Sequence, residues 1–302
     1  VTPSEGELSA RFSASGALGY AWVIFRSRPV NFLRLAGLQA LMFAALSFAM
    51  FWVMGWGGLE TSGGVEMQAA RMLRAIALMT AVYPFMLILT IWIEAMWLDL
   101  FFGRTPRLWP GWGDYGRLLV SFLIVFAIFM AGCIGVLFTG GIFVGLVAAL
   151  GGVGPAIVVG LGAFASFLVF LLLVQMRLSA FPGLVFRNRR INLALAWRLS
   201  RGRLGALTLA WAGFAGLYVV LMIPAVLVFA FMPVGPFEAL RLALENPDDP
   251  FAQYRAYAPL VRDPGAAWLT FALLVVTNLI FTPVMAMSRA IGVRLALEDE
   301  AE

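Results

Sequence analysis

The chain has 302 residues, of which 62 % are apolar and only 12 % charged, and its mean hydropathy is +0.94. Soluble domains run near about 45–50 % apolar and about 25 % charged, so a water-soluble fold of this size is excluded and the chain reads as a membrane protein. All 21 basic residues are Arg; there is no Lys, no His and one Cys, which excludes a Lys-bound cofactor, a Lys-containing phosphate loop, a haem or zinc held by His, a Ser-His-Asp triad and an internal disulfide.

A bilayer core takes roughly 20 apolar residues per helix, and six such spans follow one another. Residues 17–28 form an amphipathic lead-in ending in "AWVIFRSR". The first span covers Leu35 to Trp56, with Gln39 inside it. No secretory leader stands apart, and the first apolar run reads as this span. The second starts after Arg74, stays uncharged to Ile93 and can continue past Glu94 and Asp99 to Phe102. These two acids are functional candidates because charge inside an apolar run is costly. Five residues apart they sit about 140° around a helix, and beside Trp92 and Trp97 they also fit the solvated or Arg-paired end of a long helix, with Arg104 or Arg117 as partner.

No charge occurs between Arg117 and Arg177. Spans three and four fit there as Leu118–Thr139 and Pro155–Met176, with the break in the Gly-rich stretch Gly140 to Gly154. Gly151-Gly152-Val153-Gly154-Pro155 is either a turn or the interruption of a broken transporter helix. Cys133 lies in this apolar stretch as a buried thiol. Gly141…Gly145, Ala156…Gly160 and Ala212…Gly216 are spacings that allow close helix packing, and Gln175 sits near the end of span four.

Residues 177–203 form a basic loop carrying seven Arg. Leu193, Ala196, Trp197 and Leu199 alternate with Arg198, Arg201 and Arg203, as in a helix lying flat on anionic headgroups. Span five is Leu204–Phe231. The segment from Pro233 to Gly265 contains a short amphipathic helix, "PFEALRLALEN". Asp248, Asp249 and Asp263 there match no calcium-loop pattern. Span six is Ala266–Ser288. Asn278, between Thr277 and Pro283, is either an interhelical hydrogen-bonding group or part of an unwound turn lining a cavity. The tail "EDEAE" is an acidic, solvated end.

Basic residues concentrate on the cytoplasmic side of membrane proteins. With both termini inside, 16 of the 21 Arg fall on that side. Trp22, Trp92, Trp97, Trp109, Trp112 and Trp197 then line the inner interface, and Trp52, Trp56 and Trp268 the outer one. This placement, rather than nucleic acid, accounts for a pI near 10. The strings "AWVIFRSR" and "AWRLSRGR", and the Arg opening each hairpin (Arg28, Arg117, Arg203), match either by duplication or because interfaces select the same residues.

The segment "RLSAFPGLVFRNRRINLALAWRLSRGRLGALTL" resembles a stretch typical of bacterial six-helix membrane proteins, among them the membrane domain attached to some glycerophosphodiester phosphodiesterases. Arg177, Pro182, Ala196, Arg201, Gly202 and Arg203 carry the likeness, which is good over residues 175–230 and vague elsewhere. The His that such a phosphodiesterase domain uses are not in the sequence and no such domain is expected, so the resemblance implies six helices in a bacterial inner membrane and no catalytic residue.

The expectation is therefore an all-α bundle with six transmembrane helices in three hairpins, amphipathic interfacial helices and both termini cytoplasmic. It forms one integral membrane domain: an N-terminal segment 1–31, spans one to four in 32–176, the basic loop 177–203, spans five and six in 204–290 and the tail 291–302. No catalytic, cofactor-binding or metal-binding residue is expected. The role expected is non-enzymatic, with anionic lipid at the cytoplasmic face and a protein partner or second copy as further contacts. Arg187, Arg189, Arg190, Trp197, Arg198, Arg201 and Arg203 are the candidate contact residues, and Glu94, Asp99 and Asn278 the candidate intramembrane polar ones. The alternative is a permease subunit using helix 191–203 to couple to an ATPase; an intramembrane enzyme using Glu94 or Asp99 ranks last, since no nucleophile–base pair is evident.

Overall fold

A computed structural model describes residues 12–57, 65–246 and 255–298, and all regular structure among them is helical. The helices are α1 (Ala14–Ser27), α2 (Pro29–Gly57), α3 (Val65–Phe101), α4 (Trp112–Gly151), α5 (Val153–Leu178), α6 (Phe181–Asn188), α7 (Leu193–Ser200), α8 (Leu204–Ala230), α9 (Pro236–Glu245), α10 (Pro259–Arg262) and α11 (Pro264–Leu297). Six of them, α2, α3, α4, α5, α8 and α11, supply segments long and apolar enough to cross a membrane. The protein is thus all-helical and multi-pass.

Two compact units divide the chain. One takes in the described parts of Val1–Val23, Phe101–Gly213 and Met287–Glu302; the other comprises Ile24–Leu100 and Phe214–Ala286. The boundary falls inside α1, α3, α8 and α11.

In the second unit a buried polar pair joins two helices. The Trp97 indole N–H donates to Gln39 Oε1 over 2.6 Å. Both side chains are buried, so α2 and α3 are joined by the interhelical hydrogen bond expected of polar groups in apolar surroundings. Phe32 meets the Trp97 ring edge-on at 5.0 Å. Trp97 is therefore a core residue rather than the interfacial anchor its position in the sequence implied. Farther along, Ala44, Met232 and Leu274 form a core with Phe48 and Phe271. Gly55 lies against the Tyr257 carbonyl, where a Cβ would collide with backbone. The predicted helix α9 is present. Arg241 on it bridges Glu238 at 2.6 Å and Glu245 at 3.0 Å, and its hydrogen bond holds the Glu238 carboxyl below the usual range.

In the first unit α4 and α5 pack against each other. The turn between them is the single residue Gly152, whose φ of 81° suits glycine. The Gly151–Pro155 stretch is thus a turn, as expected, but it comes later than the sequence placed it: Gly140–Gly151 are helical. Packing explains the extension. Phe170 of α5 lies over Gly132, and Ala163 comes within 3.3 Å of where a Gly140 Cβ would stand. Glycines in a membrane helix let a second backbone approach closely, which outweighs their poor helix propensity. Gly141 and Gly145, the pair singled out by spacing, have open space instead. At 40 residues α4 is about 60 Å long, so its first turns extend past a hydrocarbon core of about 30 Å or the helix tilts.

Replacing Gly132 by Val puts atoms where the Phe170 ring lies. Overpacking of this kind costs about 1–3 kcal/mol. Thermal unfolding in mild detergent should show a lower midpoint for Gly132→Val, with Gly141→Val close to wild type.

Candidate functional site

Charge balance marks the first unit. Its described residues contain twelve Arg and two acids, Asp114 and Glu298. From residue 100 to residue 237 Asp114 is the only acid in the sequence. Each of these two carboxylates serves as an organising centre.

Glu298 is buried. It accepts a hydrogen bond from the Phe12 amide and pairs with Arg203 Nε at 2.7 Å. Arg203 also donates to the Leu199 carbonyl at 2.8 Å, satisfying the C-terminal end of α7. Arg187 does the same for α11, donating to the Ala296 carbonyl at 2.8 Å; a cation there also complements the helix dipole. Tyr20 donates to the Phe101 carbonyl at 2.7 Å, and the Arg294 guanidinium stands 5.8 Å above its ring. Gly183 and Gly292 let α6 and α11 come together, Gly292 against the Ser179 carbonyl. The tail was expected to be solvated throughout; Glu298 instead ties three distant segments together, and residues 299–302 lie outside the described residues.

Asp114 sits in the first turn of α4 with its side chain 10 % exposed. Arg117 donates to Oδ1 at 2.7 Å, Arg189 Nε stands 3.8 Å from the same oxygen and Arg107 Nη2 is 3.5 Å from Oδ2. Only the first is within hydrogen-bonding distance. Trp109 stacks on Tyr115 at 5.7 Å and meets Trp112 edge-on at 4.9 Å, and both Trp are exposed.

The basic loop is two helices rather than one. The apolar side of α6 (Phe181, Leu184, Val185, Phe186) is buried in protein. In α7, which begins where Asn192 accepts from the Leu195 amide, Ala196 and Leu199 are likewise buried. They had been expected to dip into the bilayer interface; the surface facing outward is Trp197 and Arg198. Arg177 lies 5.0 Å over the Trp197 ring and donates to Ser200 at 3.3 Å.

The seven candidate contact residues therefore divide. Arg187 and Arg203 have structural partners inside the unit. Arg189, Arg190, Trp197, Arg198 and Arg201 are exposed. Residue-by-residue reading missed Asp114 and Glu298. The available signal was the scarcity of acid in the Arg-rich half.

The intramembrane candidates fall in the second unit. Glu94 is half-buried and Asp99 only 1 % exposed, and neither is without a partner. Arg117, proposed as one partner, is engaged by Asp114. Asn278 donates to the Leu274 carbonyl of its own helix at 2.8 Å, and α11 runs unbroken through it, so the turn there is not unwound. Gln175 is exposed. Asp263 accepts from the Gly265 amide at the start of α11; Asp248 and Asp249 lie outside the described residues.

Comparison of the chain with protein-family models, with curated proteins and with solved structures finds no match.

Removing the Glu298 charge leaves Arg203 facing a neutral group. Discounted for Arg203's partial exposure, the expected loss for Glu298→Gln is about 1–2 kcal/mol. Hydrogen exchange should localise it, with faster exchange at the Phe12 amide and around Leu199, and no change in the second unit.

Proposed function

We propose that this is a non-enzymatic protein of a bacterial cytoplasmic membrane that organises its surroundings by holding anionic lipid at the cytoplasmic face. The observation that carries this reading is the surplus of exposed Arg beside exposed Trp in the first unit: Arg189, Arg190, Arg198 and Arg201 with Trp197, Trp109 and Trp112. Among the described residues of that unit twelve Arg stand against two carboxylates, and anionic headgroups attract such clusters by about 1 kcal/mol per Arg. Trp at headgroup depth supplies the apolar half of the same contact. The 16-to-5 partition of Arg supports both termini lying inside.

A permease subunit is the second reading. It is favoured by the two-turn α7, which buries Ala196 and Leu199 and turns Trp197 and Arg198 outward. An ATPase retained on purification, and released when Trp197 and Arg198 are changed together, would select that reading.

Lipid extracted with the purified chain should be enriched in phosphatidylglycerol over the bulk membrane. Replacing Arg190, Arg198 and Arg201 together by Gln should weaken phosphatidylglycerol retention about 100-fold at low salt and less at high salt; unchanged retention sinks the lipid reading. Orientation is checked separately: a reporter fused to the C-terminus should be active only in the cytoplasm, and periplasmic activity would reverse the assignment.

A further inference from the structure

We infer that α9 docks by its unpartnered apolar side into the headgroup–acyl boundary of the bilayer, a membrane contact that reads hydrocarbon rather than headgroup charge. It belongs to the second unit and does not depend on the anionic-lipid reading of the first. With the proposed orientation the leaflet concerned is the outer one.

The helix divides into three arcs. At about 100° per residue, Phe237, Leu240 and Leu244 fall within about 60° of one another, and they are 49 %, 57 % and 73 % exposed. Ala239 and Leu242 lie roughly 130° and 170° from the centre of that arc and pack into the cluster of Val234, Tyr257, Leu260 and Ala266. Glu238, Arg241 and Glu245 fill the arc between the two. Turning the charged arc to water therefore sets one apolar arc against the protein. The other is left pointing along the membrane plane, away from it.

The cluster that holds α9 fixes its depth. Phe51 and Met54 also pack there, close to the end of the α2 span at Trp56. Ala266 lies in the first turn of α11, where another span begins. The α8 span ends at Ala230 and α9 starts at Pro236. α9 is thus level with the ends of three membrane-spanning segments. Trp52, Trp56 and Trp268 stand exposed at the same level, the place tryptophan takes at a membrane surface. Phe231, between α8 and α9, is exposed as well.

Charge and place together name the occupant. Arg241 is engaged on both sides, by Glu238 at 2.6 Å and by Glu245 at 3.0 Å, and α9 carries no other cation. The charged arc closes on itself and has no spare basic group for an anionic headgroup. An interfacial helix binds through buried apolar area and through attraction to anionic lipid; α9 has only the first. Leu227 on α8 and Leu269 on α11 are exposed on spans that face acyl chains. The arc of α9 carries the same kind of surface to the boundary of the bilayer, so its partner is lipid.

The test is nitroxide accessibility of the full chain in lipid nanodiscs. Cys133 is replaced by Ala, and single labels are attached through Phe237→Cys, Leu240→Cys, Leu244→Cys or Glu245→Cys. The discs contain phosphatidylcholine alone or phosphatidylcholine with phosphatidylglycerol. Collision with oxygen reports hydrocarbon, and collision with a water-soluble nickel chelate reports water. Labels at 237, 240 and 244 should favour oxygen and the label at 245 nickel, equally in both lipid compositions. The labelled side chains are exposed, so the protein's own packing is left in place. Adding Leu240→Gln and Leu244→Gln to the Phe237→Cys chain should shift its label toward nickel.

Nickel collisions at 240 and 244 that match those at 245 put the arc in water and overturn the docking. Protection from both reagents at these positions means that protein covers the arc, a second copy or another segment, and overturns lipid as the occupant. A preference for oxygen that appears only with phosphatidylglycerol overturns the independence from headgroup charge. An unshifted label in the doubly substituted chain overturns the arc as the anchor.

Discussion

The organising constraint among the described residues of the first unit is a shortage of carboxylate. There twelve Arg share two acids, and both acids are largely shielded from water. Unpaired charge inside protein is expensive, so each acid gathers every group that can use it. Glu298 takes a backbone amide and a guanidinium from segments far apart in the chain. Asp114 gathers Arg107, Arg117 and Arg189. The architecture of the unit follows from these two centres. The remaining Arg turn to helix ends, ring faces or the outside. What is left over is a positive surface beside exposed Trp, and the functional reading rests on that remainder.

The membrane-spanning helices solve the complementary problem. Several side-chain polar groups inside them bond across a helix pair, as Trp97 does to Gln39, or back to their own helix, while the buried Thr270 hydroxyl does neither. Thr139, Ser166, Thr208, Thr277, Asn278 and Thr282 each donate to a backbone carbonyl four residues earlier. Such back-bonding removes a polar group from the apolar surface without needing a partner helix. It also explains why Asn278 makes no unwound turn. Pro84, Pro224 and Pro283 all lie inside continuous helices, where neighbouring groups can compensate for the missing amide donor.

Much of this architecture was legible in the sequence and some of it could not be. The six spans are legible because apolar runs of about 20 residues have few other uses. The break between α4 and α5 was legible in the Gly-rich stretch, but its position was not. Gly-rich sequence signals a turn and a close helix contact equally well, and only the position of Phe170 and Ala163 across from Gly132 and Gly140 separates the two. Trp97 looked interfacial because Trp usually is; its burial depends on Gln39, fifty-eight residues away, which no local pattern encodes. The tail read as solvated because acidic ends usually are, and Glu298 differs from its neighbours through contact with Phe12 and Arg203 alone. The pattern of α7 signals a helix, but periodicity does not say whether its apolar side meets lipid or protein.

The absence of Lys takes on a physical sense in these contacts. Several Arg serve two partners at once. Arg203 joins a carboxylate to the end of a helix. Arg177 bonds a hydroxyl while lying over an indole face. Arg241 spans two carboxylates. A planar fork with five donors can do this; an ammonium, a compact and strongly hydrated point charge, satisfies one direction well and the others poorly. Where the described cations so outnumber the described acids, groups able to bond carbonyls, rings and phosphates as readily as carboxylates are the ones that fold compactly. The same property that lets the arginines of the first unit do without carboxylates fits those left at its surface for phosphate.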